Sequence, residues 1–73
     1  MTTSYEFCVY QFFPDGSHER VRQYVTAEQA VEVAYSYSTR PAARIGIIQK
    51  VIITDGGDNT VFEWKFGEGV VYP

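Results

Sequence analysis

The feature that most constrains this chain lies between Ile45 and Phe66. There an aliphatic run (Ile47, Ile48, Val51, Ile52, Ile53), a glycine turn (Asp55 to Asn59) and an aromatic run (Phe62, Trp64, Phe66) follow one another. β-Branched and aromatic runs on either side of Asp and Gly residues read as a β-hairpin. A two-residue Gly56-Gly57 turn would set Val51 opposite Phe62, Ile47 opposite Phe66, and Lys50 opposite Glu63 as an attractive charge pair. The same turn sets Asp55 opposite Asp58, two like charges, so a longer loop through Asn59 is the alternative. Strand alternation then puts Val51, Phe62, Trp64 and Phe66 on one face and leaves Ile48, Ile52 and Val61 on the other.

The first half predicts a second hairpin. From Tyr5 to Phe13 the chain has a period of two: Tyr5, Phe7, Val9 and Phe13 share one side, and Glu6, Cys8, Tyr10 and Phe12 the other. Pro14-Asp15-Gly16 supplies a corner residue and a left-handed one, and a second strand runs from His18 to Val25. That loop sets Val21 opposite Val9 and Val25 opposite Tyr5. On the reverse face it sets Tyr10 opposite Arg20, Cys8 opposite Arg22 and Glu6 opposite Tyr24, with Phe12 and His18 near the turn.

Between the hairpins the period changes. Ala27, Ala30, Val31, Ala34 and Tyr37 fall at helical spacing, and Glu28, Glu32 and Tyr35 lie opposite. Thr26 and Gln29 form a capping-box pattern, and Glu28 suits the positive end of the helix dipole. Arg40-Pro41 ends the helix, since the residue before proline is forced out of the helical region. Pro41 to Arg44 fits one further turn, stopped near Gly46. Gly67 to Pro73 reads as a turn with a short apolar tail. The expected fold is therefore α+β, ββαββ: two β-hairpins flanking one helix that packs on one face of a four-stranded sheet.

Seventy-three residues make a single domain, 1–73, because a chain this short cannot divide its buried surface between two cores. The 45% hydrophobic and 16% aromatic fractions exclude intrinsic disorder as the default. Cys8 is the only cysteine, so no internal disulfide is available and a reducing, cytoplasmic setting is expected. The first residues lack the basic start and apolar run of a signal peptide, and no apolar run is long enough to span a membrane. A net charge of −3 removes any bulk attraction to nucleic acid or anionic lipid.

One helix covers one sheet face, so the other is expected to be open. By the registers above that face contains Tyr10, Phe12, Tyr24, Ile48, Ile52 and Val61, bordered by Arg20, Arg22, Lys50 and Lys65. Surplus apolar surface of this kind marks an interaction site, and the default partner of a small protein is another copy of itself. Tyr10, Phe12, Arg20, Arg22, Tyr24, Ile48 and Ile52 are the candidate partner-binding residues of a non-enzymatic module that docks a protein or forms a homodimer. The alternative is a single-stranded nucleic-acid module using Arg20, Arg22, Tyr10 and Tyr24, since arginine and aromatic side chains on a sheet face form a stacking platform.

No catalytic, metal or cofactor site is expected. His18 lies about 13 Å along the strand from the position opposite Cys8, at ~3.3 Å per residue, so the two do not form a dyad. Asp55, Asp58 and Asn59 lack the alternate-position spacing of a calcium loop and are explained by turn chemistry. Gly67-Glu68-Gly69 leads into no helix whose N-terminus would take a phosphate.

Pro41-Ala42-Ala43-Arg44-Ile45-Gly46, Val51-Ile52-Ile53-Thr54-Asp55, Phe62-Glu63-Trp64-Lys65 and Gly67-Glu68-Gly69-Val70-Val71 together resemble short, uncharacterised alphaproteobacterial proteins. The resemblance covers the second half of the chain. It implies a bacterial cytoplasmic origin and lends no activity.

Overall fold

The fold was analysed in a computed structural model that describes residues 4–72. Met1 to Thr3 and Pro73, which the N-terminal and tail readings included, lie outside the described residues. Along the chain run β1 (Phe7–Phe12), β2 (His18–Val25), α1 (Ala27–Ser38), the single-turn α2 (Pro41–Arg44), β3 (Lys50–Thr54), β4 (Thr60–Lys65) and β5 (Gly69–Tyr72). The strands form one antiparallel sheet in the order β2-β1-β3-β4-β5. The α+β class agrees with the sequence; the strand count does not. The residues read as an apolar tail are a fifth strand, because the Lys65–Glu68 turn (Glu68 N–H to Lys65 O, 3.1 Å) folds them back onto β4.

The helix forms where its caps require. Thr26 accepts from the Gln29 N–H (3.1 Å), and the Gln29 side chain accepts in return from the Thr26 N–H (3.0 Å). At the other end Thr39 donates both its N–H and its hydroxyl to the Tyr35 carbonyl (3.1 and 2.8 Å), and the Arg40 guanidinium lies 3.7 Å over the Tyr37 ring. Ala30 and Ala34 are buried and let α1 approach the sheet over β1, β2 and β3. One cluster of Val9, Ala30, Ala34, Ala43, Ile48, Val51 and Ile53 is the core.

Both hairpins form, both change register, and Arg22 and Val61 change face with them. Near the first turn the pairs are as expected: Phe12 opposes His18 and Tyr10 opposes Arg20. Farther along, two irregularities in β2 make Arg22 oppose Val9, and Val25 oppose Phe7, in place of Cys8 and Tyr5. Tyr24 lies in the second of these with a φ of 56°. The extra residues keep Val21 and Val25 packed against the core although the pairing has slipped.

In the second hairpin the longer loop forms. The Asp55 N–H donates to the Asn59 carbonyl (2.9 Å), and Asp55 Oδ1 accepts from the Gly57 and Asn59 N–H groups (2.9 and 3.0 Å). This separates Asp55 from Asp58 in function, one capping the loop and the other occupying its left-handed position at φ 61°. Val51 consequently opposes Trp64 and Lys50 opposes Lys65, a shift of two residues from the expected register. A bulge between Ile53 and Thr54 inserts Val61, which packs against the core on the helix side and not on the open face.

Ile48 is a further correction. It is 2% exposed and belongs to the core, where the sequence placed it on the open face of a strand beginning near Ile47. The strand begins only at Lys50 because Gly46 (φ 86°) turns the chain after α2, and the Ile47 and Ile48 N–H groups both donate to the Ala42 carbonyl (2.9 and 3.2 Å). Period-two alternation does not run through such a reversal.

Candidate functional site

The helix-free face of the sheet is built from two rows that cross it. Directly opposed residues share a face, so the pairings define the first row as Arg20, Tyr10, Ile52, Glu63 and Tyr72. The second is His18, Phe12, Lys50, Lys65 and Gly69. The His18 ring packs 5.2 Å from Phe12 and edge-on to Tyr10 at 6.0 Å; the Lys50 ammonium lies 4.4 Å from the Phe12 ring centre. Tyr10, Phe12 and Ile52 are thus half-buried by their own neighbours.

Of the seven residues expected to bind a partner, the fold gathers Tyr10, Phe12, Arg20 and Ile52 on this face. Ile48 is in the core, and Arg22 and Tyr24 fall in the irregular part of β2, where Arg22 donates to the Val21 carbonyl (2.6 Å). His18, Lys50 and Lys65 belong with the four. Lys50 and Lys65 were legible as bordering cations, but their direct opposition depends on the loop register.

A second surface was not read from the sequence. α1 packs over β1, β2 and β3, and β5 is the far edge of the sheet. The large hydrophobic residues that remain exposed include Val31 and Tyr35 on α1, Phe66 after β4, and Val70, Val71 and Tyr72 on β5. Ile45 and Ile47, also exposed, flank Gly46 in the chain, where an added methyl would sit 3.2 Å from the Phe66 ring. An apolar cleft of about 180 Å³ opens between α1 and β4, lined by Phe7, Ala27, Val31, Ile53, Val61 and Phe62. The sequence put Val31 on the buried stripe of α1 and Tyr35 opposite it, but Val31 is 58% exposed, because the i, i+4 row from Ala27 through Val31 to Tyr35 runs beside the buried alanines and not under them.

The two sheet edges differ. β2 presents His18, Glu19, Arg20 and Arg22 with two irregularities, features that block pairing with another chain. β5 presents Gly-Val-Val-Tyr with no charge in it.

Two carboxyl groups are held by hydrogen bonds from their own loops. Hydrogen bonds from the Ser17 hydroxyl and N–H hold the Asp15 carboxyl below its ordinary value, and those from the Asn59 and Gly57 N–H groups do the same for Asp55. Cys8 is a buried free thiol. Among the described residues no three His, Cys, Asp or Glu side chains are grouped to hold a metal ion, and no helix is long and apolar enough to cross a membrane. No protein-family model matches this chain, and neither the curated proteins nor the solved structures give a match.

Proposed function

We propose that this chain is a small non-enzymatic interaction module whose partner is a second copy, joined through the β5 edge and the apolar flank beside it. The observation that carries this reading is the β5 edge itself: Val70, Val71 and Tyr72 are exposed at 59%, 41% and 49% on a strand that has no charged residue. An uncharged edge strand offers unpaired N–H and C=O groups that an antiparallel copy of itself satisfies, and two-fold symmetry makes such a contact close. Val70, 59% exposed and opposite Trp64, would be covered on the helix side of the extended sheet. Sedimentation velocity tests the reading. The expected species has twice the 8.3 kDa chain mass, and Val70→Lys returns it to the monomer without loss of the folded circular-dichroism signal. A wild-type protein that stays monomeric as its concentration is raised overturns it.

A further inference from the structure

The helix-free face differs in chemistry from the apolar flank. Its two cross-sheet rows hold three of the six basic residues, Arg20, Lys50 and Lys65, and one of the nine acidic ones, Glu63. Lys50 and Lys65 are directly opposed, an arrangement that destabilises a sheet unless an anion offsets it. The only ion pair among the described residues, Lys65 to Glu63 at 3.7 Å, leaves Arg20 and Lys50 without a carboxylate partner. Aromatic rings stand among these cations: Phe12 holds His18 on one side and Lys50 on the other, and Tyr10 meets His18 edge-on.

We propose that this face binds single-stranded nucleic acid, with Arg20, Lys50 and Lys65 taking the phosphates and Tyr10 and His18 stacking on the bases. A strand with its bases splayed needs flat rings and cations alternating over a distance of a few nucleotides, and the two cross-sheet rows supply both. A protein partner would be better served by the uncharged flank. The residue set is not the one that spacing suggested, since Arg22 and Tyr24 lie in the irregular part of β2.

Fluorescence anisotropy with labelled oligothymidylate and oligouridylate of about ten nucleotides tests the proposal. Binding is expected at low salt, and three phosphate contacts predict a slope of log K against log salt of about −2. Lys50→Gln and Lys65→Gln should each flatten that slope by about 0.7. Tyr10→Leu should weaken binding about tenfold at an unchanged slope. Arg44→Gln makes the same change in net charge elsewhere and should do neither. No binding at low salt, an equal loss in Arg44→Gln, or equally tight binding of heparin or polyglutamate overturns the proposal. A dimer result of either kind leaves this test intact.

Discussion

Ile48 is the residue whose surroundings say most about how the chain packs. Its neighbours Ile45 and Ile47 are exposed at 70% and 51%, and the turn at Gly46 drives it alone into the core. Ile48→Ala should therefore cost about 3 kcal/mol, measured by urea denaturation, where an open-face isoleucine would cost a fraction of that. Val51→Ala, at one of the two largest fully buried side chains, should cost about 2 kcal/mol. Asp55 carries a different dependence. Its carboxyl titrates below its unfolded value because the loop N–H groups donate to it. The contribution is present above about pH 4 and is lost as pH falls through the lowered value. Asp55→Asn keeps an acceptor oxygen for the loop but no titrating charge, so its urea midpoint should fall less steeply than that of the parent on acidification. An identical acid slope in both would show that the loop carboxylate does not contribute.

At the scale of elements, the caps and turns hold the predictions. Thr26→Ala removes the acceptor for the Gln29 N–H and should cost about 1 kcal/mol, read from the thermal or urea midpoint. Gly46 and Gly16 both have φ near 87°, but an added methyl at Gly16 meets open space while one at Gly46 meets the Phe66 ring at 3.2 Å. Both alanine substitutions should destabilise by about 1 kcal/mol from the left-handed backbone alone. Gly46→Ala should exceed Gly16→Ala by the cost of displacing Phe66. These same elements mark where sequence stops being informative. The capping box, the proline stop and the pairs next to the Pro14-Asp15-Gly16 turn were legible because each is set by residues within four positions of one another. The irregularities at Tyr24 and Val61 were not, since a non-glycine residue at positive φ and an extra bulged residue answer to sheet twist and core fit. β5 escaped for a related reason: four residues make a strand only when an edge is there to receive them.

For the whole molecule the decisive property is that basic side chains gather on the helix-free face while the β5 edge carries none. Arg20, Lys50 and Lys65 lie with Glu63 in the two cross-sheet rows; Arg22, Arg40, Arg44 and the other eight carboxylates lie outside those rows. Two copies each carrying −3 repel at long range, and the β5 edge that would join them adds no ion pair. Salt screens that repulsion over about 10 Å at 0.1 M and leaves apolar burial intact, so dimerisation should tighten as salt is raised. Phosphate binding on the opposite face must do the reverse, because it depends on counterions released to solution. A salt series measured by sedimentation for one and anisotropy for the other should give slopes of opposite sign. Dimerisation that instead weakens with salt would mean that ion pairs join the copies, and the uncharged β5 edge could not be their contact.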